Sequence, residues 1–276
     1  MTEYSRELID EWSEALLRSS GYEKTGFAAG FDANRPAPPA ALVDLLCLEA
    51  QAERPHLVVD LGSGTGLSTR RWADRADEVV GVEASPEMRA QAQEATAAGN
   101  VRFVQAYAQA TGLPDDAADI VTCSQALHWM EPEPTLAEAA RILRPGGVFA
   151  AYDYDWPPIV HWEIEEAFEE MLRRLRVGRR PDGERMRYAK EEHLERIRSS
   201  GHFRYAREIV LHSKERGGAE RVVGMALSLG PLTVALENGT TEEELGVAAL
   251  REKAQRVLGD REVDIYLGYR IRLGVK

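Results

Sequence analysis

The strongest constraint on the fold is a glycine-rich bend between an apolar segment and a segment of helical character. In VVDLGSGTGLSTRRWA, residues 58–73, three glycines follow Asp60 at two-residue spacing: Gly62, Gly64 and Gly66. Glycine permits positive φ and lets the backbone approach a ligand. A helix that starts after the bend presents free N–H groups and the positive end of its dipole. The segment therefore predicts a site for an anionic or strongly polar ligand.

The chain around this bend alternates short apolar segments with helix-like ones. Continuously apolar strands separated by helices are typical of a parallel sheet covered on both faces. This is the doubly wound α/β architecture, in which ligands lie beyond the carboxyl ends of the strands. Five strands are predicted, in HLVVDLG, DEVVGVEA, VRFVQA, DIVTCSQA and GGVFAAYDY.

The remaining segments are expected to complete a single domain, residues 1–276, rather than a second one. From Val263 to Val275 every second residue is apolar or aromatic, which predicts a strand with one buried face and one more solvated face. Helices are predicted over 5–19, 40–52, 160–176 and 190–199, with ion pairs Glu169–Arg173 and Glu170–Arg174 on the third. The expected parts are N-terminal helices and a lid (1–52), a cofactor-binding core (56–156), a helical cap insertion (157–200) and a completion of the sheet (201–276).

Composition excludes several classes of protein. With 34 basic against 46 acidic residues, the formal net charge is −12, which disfavours nucleic acid as a partner. The longest stretch without charge, Val222 to Leu236, is too short to span a bilayer, so no membrane protein is expected.

The location and the metal content are predicted from what the sequence lacks. The first residues carry acids and lack the pattern of a secretory signal, and Cys47 and Cys123 are too few for a disulfide framework, so a cytoplasmic protein is expected. Six scattered histidines without an H-E-x-x-H motif predict no metal site.

Three nucleotide ligands compete for the glycine bend. A P-loop is excluded because no Lys follows the glycines, and Leu67 stands where a dinucleotide site needs its third glycine. S-adenosylmethionine lacks a pyrophosphate and needs an acid for its ribose. Glu83 ends the second strand, 23 residues after Asp60. At this position a carboxylate can accept hydrogen bonds from both ribose hydroxyls. A tight turn without any ligand is the structural alternative.

Four segments between residues 58 and 153 resemble the class I S-adenosylmethionine-dependent methyltransferases: VVDLGSGTG, VVGVEASPEMRAQA, GLPDDAADIVTCSQALHWM and EAARILRPGGVFAAYD. The lead-in FDANRPAPPAALVDLL and the HWM after strand four are most similar to the branch with trans-aconitate and malonyl-carrier methyltransferases. The resemblance implies a Rossmann-like, mostly parallel seven-stranded sheet with an antiparallel C-terminal strand. It also implies S-adenosyl-L-methionine as cofactor and a small-molecule substrate.

The resemblance assigns cofactor contacts to positions that match the family pattern. Tyr107 departs from it, because the family commonly has an acidic residue there to accept the adenine amino group. The implied contacts are Asp60, Gly62, Ser63, Gly64, Thr65 and Gly66 for the methionine portion, Glu83 for the ribose, Ala84 and Met88 beside the adenosine, Ala106, Tyr107 and Ala108 facing the adenine, and Ser124 and Gln125 near the methionine portion.

Candidate substrate residues follow strands four and five or precede the core. His128 is the candidate general base, because its neutral form can accept a proton near pH 7; a loop-orienting or purely structural histidine is the alternative. Arg35 can pair with a carboxylate of the cofactor or of an acidic substrate. The other candidate pocket residues are Trp129, Tyr152, Tyr154 and Trp156, with Asp153 and Asp155 between them.

The expected function is methyl transfer to a small molecule, with a carboxylate or hydroxyl oxygen as the leading acceptor. A macromolecular methyltransferase is the first competing function, through an arginine stretch between residues 173 and 187 that could contact RNA or an anionic substrate. Acidic neighbours dilute this stretch, so a solvated helix face is the simpler interpretation. A non-catalytic cofactor-binding protein and a nicotinamide oxidoreductase are the second and third competing functions.

Overall fold

A seven-stranded sheet forms the centre of the molecule. The computed structural model describes residues 27–175 and 188–276. The strand order is β3-β2-β1-β4-β5-β7-β6; the first five strands are parallel, and β7 runs antiparallel to both of its neighbours. The predicted doubly wound, mostly parallel sheet is therefore confirmed. The strands are β1 (Leu57–Leu61), β2 (Glu78–Glu83), β3 (Val101–Gln105), β4 (Ala118–Ser124), β5 (Leu143–Tyr154), β6 (Tyr205–Gly217) and β7 (Val263–Val275).

Helices cover both faces of this sheet and build a further layer at its β6–β7 end. Among residues 27–175 and 188–276, two helices precede β1, and four lie between β6 and β7. The helices are α1 (Phe27–Asn34), α2 (Ala40–Glu49), α3 (Pro86–Glu94), α4 (Pro132–Ile142), α5 (Trp162–Leu175), α6 (His193–Ser199), α7 (Ala219–Leu227), α8 (Gly230–Glu237), α9 (Glu242–Leu245) and α10 (Val247–Leu258).

The apolar sequence of β1 follows from its position between two helical layers. All five of its residues are buried. Val58 joins an apolar cluster with Leu46 and Trp72 on one face, whereas Val59 joins a second cluster with Leu136 on the other. The strand order reverses between β1 and β4, so a crevice opens beyond their carboxyl ends.

A third apolar cluster brings together helices that precede β6 in the chain and helices that follow it. Phe168 on α5, Val222 on α7 and Leu250 on α10 pack together with Ile265 of β7. The helix α6 lies apart from this layer, against β6 and β7. The layer thus draws helices from both 157–200 and 201–276, and the predicted division into a cap and a sheet completion stays a prediction.

Two local predictions need correction. The segment after the glycine bend forms turns and a short 3-10 helix, Thr69–Trp72, instead of an α-helix. The reason is that the hydroxyl of Ser68 is bonded to Tyr152 and that of Thr69 to Asp60, which favours turns over a regular helix. On α5, Arg173 pairs with Glu170, three residues away, rather than with Glu169; the predicted pair of Glu170 with Arg174 is present.

The predicted alternation of β7 holds along most of the strand and then fails. From Ile265 to Ile271 every second residue is buried, as predicted. Arg272 and Gly274 are buried as well, because Ile197 of α6 and Phe203 cover Gly274, and Arg272 pairs with acidic side chains inside the protein. The second face of the strand is therefore not solvated at this end.

Two further predictions lie outside the described residues. They are the helix over residues 5–19 and most of the arginine stretch that ends at residue 187. Among the described helices, none is by itself both long and apolar enough to cross a membrane. The helices α7 and α8 are long and apolar enough only when taken together, and the chain bends by 77° at the break between them.

Candidate active site

The glycine bend folds over the carboxyl ends of β1 and β2. All three of its glycines have positive φ: 65° at Gly62, 56° at Gly64 and 81° at Gly66. The Gly62 N–H donates to the carbonyl of Val82 over 2.8 Å. A Cβ atom on Gly62 would lie 2.8 Å from the Cβ atom of Ala126, which cannot move away without its backbone, and 2.5 Å from the terminal methyl group of Met130. The bend therefore requires glycine both for its backbone conformation and for its close contacts.

Asp60 holds the bend from behind. Its carboxylate accepts hydrogen bonds from the hydroxyls of Thr69 and Thr122, each over 2.7 Å. Burial raises the pKa of Asp60 to about 6, although these hydroxyls lower it in part. Asp60 does not line the pocket described below, so the structure places it behind the bend and not in contact with the pocket.

Glu83 connects the bend to the start of α3. One carboxylate oxygen accepts from the Gly64 N–H and the other from the Ser85 N–H, both over 2.8 Å. Burial raises the pKa of Glu83, while backbone N–H groups, first those of Ser85 and Gly64, lower it in part. Each carboxylate oxygen has two lone pairs, so both can also accept a hydrogen bond from a ligand hydroxyl.

One pocket, partly open to solvent, brings most of the predicted site residues together. The residues predicted from the sequence that line it are Arg35, Gly62, Ser63, Gly64, Thr65, Glu83, Ala84, Met88, Ala106, Tyr107, Ala108, Ser124, Gln125, Trp129 and Tyr154.

Seven candidate residues lie outside this lining: Asp60, Gly66, His128, Tyr152, Asp153, Asp155 and Trp156. Tyr152 is buried, and its hydroxyl is bonded to that of Ser68, so it supports the pocket from below. Trp156 packs its ring on Phe168 of the helical layer, with 5.3 Å between ring centroids.

Sequence reasoning missed other lining residues. Pro36 and Pro38 flank Arg35, and Leu67 and Ser68 follow the glycine bend, so adjacency to predicted residues was an available signal. Tyr269 gave no such signal, because only the pairing of β7 with β5 brings it to the pocket. The missed residues are Phe31, Pro36, Pro38, Leu67, Ser68, Val82, Gln109, Ala126, Met130 and Tyr269.

Aromatic rings surround Arg35 at the pocket. Its Nη1 donates to the Tyr154 hydroxyl over 2.8 Å. The guanidinium carbon lies 4.7 Å from the ring centroid of Phe31, 5.8 Å from that of Tyr154 and 5.7 Å from that of Trp156. Such contacts hold the planar cation in place and leave it near the pocket surface. The arrangement suits an aromatic or apolar molecule that carries an oxygen acceptor of hydrogen bonds.

His128 lies in a buried polar cluster next to the pocket. Its Nδ1 is 3.6 Å from Asp153 Oδ1, and its ring lies 5.3 Å from that of Trp129, which lines the pocket. The Lys190 ammonium lies 2.7 Å from the same Asp153 oxygen. The ring of His193 is stacked at 6.3 Å from that of His128. Burial lowers the pKa of His193 to about 4, so this histidine is neutral at pH 7.

The same cluster contains a set of potential metal ligands that the sequence did not predict. Ligand atoms of His128, Asp153 and His193 lie within 4.8 Å of one another. However, the Lys190 ammonium pairs with one oxygen of Asp153 and the Arg272 guanidinium with the other, over 2.7 and 3.2 Å. These two cations supply the positive charge that the carboxylate needs, and a metal ion would have to displace one of them.

Comparisons with known proteins agree with this geometry. Residues 59–151 match the family model described as a methyltransferase domain. An uncharacterized methyltransferase of Mycobacterium tuberculosis is 39% identical over 127 residues, which are 44% of this chain and 48% of the relative. The malonyl-[acyl-carrier protein] O-methyltransferase of Enterobacter lignolyticus is 35% identical over 108 residues, 39% of this chain and 42% of the relative. The matched regions therefore span less than half of either relative.

A solved structure extends the comparison to most of the fold. A protein of Anaeromyxobacter dehalogenans, described as a candidate type II methyltransferase, aligns with a TM-score of 0.66 at 23% identity, covering 87% of this chain and 97% of that one. The predicted resemblance to class I methyltransferases is thus confirmed, and residues 59–151 are the part of the chain that matches the methyltransferase-domain model. This region coincides with the sheet β1 to β5 and the glycine bend.

Proposed function

We propose that the protein transfers a methyl group from S-adenosylmethionine to an oxygen atom, carboxylate or hydroxyl, of a small molecule. The observation that carries the proposal is the position of Glu83. Its buried carboxylate and the glycine bend face one pocket, and the Gly64 N–H joins them directly. This combination is suited to bind a ligand in which a ribose lies next to a polar amino-acid portion.

The residues present fit the cofactor. Glu83 has lone pairs for the ribose hydroxyls, and the absence of a side chain at Gly62 and Gly64 leaves the backbone accessible. Ala106 and Ala108 flank Tyr107 with small side chains, which leaves room for a planar base. When bound, S-adenosylmethionine supplies a methyl group already activated on a sulfonium. The protein then has to orient the acceptor and exclude water, and orientation alone contributes up to about 7–11 kcal/mol.

The acceptor class follows from Arg35 and the rings around it. A carboxylate acceptor would pair with the guanidinium and needs no base, since it reaches the pocket ionised. A hydroxyl acceptor must lose a proton. His128 is the candidate group to receive it, and because it is buried behind Trp129, outside the pocket lining, the proton would have to reach it through a bridging water or a movement of its ring. The named O-methyltransferase relative supports an oxygen acceptor, although the match covers less than half of it.

No competing function is favoured by a specific observation in the described residues. Of the arginine stretch, only Arg173 and Arg174 are described, and both pair with Glu170, as expected for a solvated helix face. A non-catalytic cofactor-binding protein would have the same pocket, so only an assay of turnover separates it from an enzyme. A cytoplasmic location stays a prediction from the sequence.

The decisive experiment combines binding with turnover. Isothermal titration calorimetry with S-adenosylhomocysteine tests the cofactor, and a coupled assay of S-adenosylhomocysteine release tests acids, phenols, amines and RNA as acceptors. Arg35→Met should raise KM for carboxylate acceptors at least tenfold, whereas Arg207→Met, which removes a surface arginine, should not. Release with RNA alone, or no release with any acceptor, would contradict the proposal.

His128 is tested with the same assay. His128→Asn should lower kcat for hydroxyl acceptors about 100-fold and for carboxylate acceptors much less, because only the former lose a proton. Equal losses for both acceptor classes would mean that His128 acts through packing alone.

A further inference from the structure

A chain of polar contacts runs from the buried cluster to the pocket lining. The Lys190 ammonium lies 2.7 Å from Asp153 Oδ1 and donates to Gln125 Oε1 over 2.9 Å. Asp153 is buried on β5 and also pairs with Arg272 of β7. Gln125 follows β4 and lines the pocket. Lys190 therefore connects the centre of the sheet to one pocket side chain.

The backbone of Gln125 is held in an unusual conformation. Its φ is +53°, in the left-handed region that residues other than glycine rarely adopt. The Gln125 N–H donates to the Tyr152 carbonyl over 2.9 Å, which anchors this turn to β5. Conformations of this kind persist when the surroundings enforce them, and they are frequent at binding sites. The sheet thus fixes the backbone from which this side chain extends.

The contact with Lys190 also determines which way the Gln125 amide faces. An ammonium only donates, so it selects the amide oxygen and excludes the flipped arrangement, in which the NH₂ group would face Lys190. The Nε2 end is buried and has no acceptor among residues 27–175 and 188–276. A buried donor without an acceptor is costly, and because Gln125 lines the pocket, a ligand acceptor that displaces the atoms covering Nε2 would remove that cost.

We propose that Lys190 is a positioning residue for ligand binding: it orients the Gln125 amide so that its N–H group serves as a donor to the molecule in the pocket. Asp153 holds the ammonium in place. The donor suits a carboxylate oxygen, as found in the methionine portion of S-adenosylmethionine. This inference rests on the proposed cofactor.

The experiment measures the Kd of S-adenosylhomocysteine by calorimetry for single and double variants. Lys190→Met and Gln125→Met should each weaken binding about tenfold, the effect of one hydrogen bond. The double variant should also lose only about tenfold, because Lys190 acts through Gln125. Lys190→Arg, which keeps a cationic donor, should stay within about threefold of wild type. The control Lys253→Met removes a lysine paired with Glu163 and should bind normally.

A role of Lys190 in stability alone would give a different pattern. It would lower the midpoint of thermal unfolding without lowering the affinity of the folded protein. Independent contributions of Lys190 and Gln125 to binding would instead make the double variant lose about 100-fold in affinity. Either result overturns the proposal. If Lys190→Met does not fold, Gln125→Glu replaces it, since it keeps an acceptor for Lys190 and removes the donor. Wild-type affinity in Gln125→Glu also overturns the proposal. A wild-type protein that does not bind S-adenosylhomocysteine instead refutes the cofactor itself.

Discussion

Asp60 is expected to lower the stability of the ligand-free protein at neutral pH. Its pKa rises from the ordinary 3.8 to about 6 because its carboxyl group is buried. A tenfold change in proton affinity corresponds to about 1.4 kcal/mol, so keeping Asp60 ionised costs about 3 kcal/mol at pH 7.5. The folded state binds the proton more tightly than the unfolded state, so this cost develops as the pH rises from about 4 to above 6.

The substitution Asp60→Asn removes the buried charge and keeps the shape. One hydroxyl, of Thr69 or Thr122, has to turn from donor to acceptor, which costs about 1 kcal/mol. The variant should therefore be about 2 kcal/mol more stable than wild type at pH 7.5. At pH 5 its gain in stability should be less than about 1 kcal/mol. Urea unfolding at both pH values measures the difference. Binding of S-adenosylhomocysteine should weaken in the same variant, because the negative charge behind the bend is lost.

Asp119→Asn is a matched control with the opposite sign. Burial raises the pKa of Asp119, but hydrogen bonds from Arg144 and from the backbone of Leu57 and His56 outweigh it, so the pKa lies below its ordinary value. Its contribution to stability is present at neutral pH and is lost as the pH falls. The control variant should thus be less stable at pH 7.5. A less stable Asp60→Asn, or a gain in stability equal at both pH values, would refute the reasoning on Asp60.

Three further predictions concern the pocket. Glu83→Gln should weaken S-adenosylhomocysteine binding more than tenfold in calorimetry, and wild-type binding should weaken as the pH falls through the raised pKa of Glu83. Arg70→Met removes a half-buried ion pair with Asp32 that ties α1 to the bend, and it should increase the rate of proteolysis within α1. Gly66→Ala should lower the free energy of unfolding by about 1–3 kcal/mol in urea titrations, because φ is +81° and the new Cβ would lie 2.8 Å from the Phe103 ring.

The sheet could be predicted from the sequence because its signals are local. The apolar segments that become β1 to β5 are short and are separated by loops or helices, and the period of two in β7 matches Val263–Val275. The helices α7 and α8 were not predicted. Their sequence between Val222 and Leu236 contains no charged residue that would mark a solvated face, although only Gly230 and Leu232 of α8 are buried in the structure.

In the candidate site too, the residues with local sequence signals could be predicted and those from distant segments could not. Glu83 and the glycine bend are local motifs at strand ends, and the structure brings them to one pocket. Tyr269 and Lys190 come from distant segments, and no spacing in the sequence indicates that they reach the pocket or its border. His128 stands at the predicted edge of the sheet, yet its ring faces Asp153 instead of the pocket lining, a choice that depends on side-chain packing.

The insertion of β7 between β5 and β6 has a consequence for biosynthesis. β7 follows β5 by about 110 residues, and it contributes Tyr269 to the pocket. A nascent chain that has already emerged as far as β5 therefore carries an unpaired strand edge and an incomplete binding crevice. Such edges can pair with other chains. Ligands added to a translation reaction should therefore protect the protein from proteolysis only in molecules in which β7 has left the ribosome.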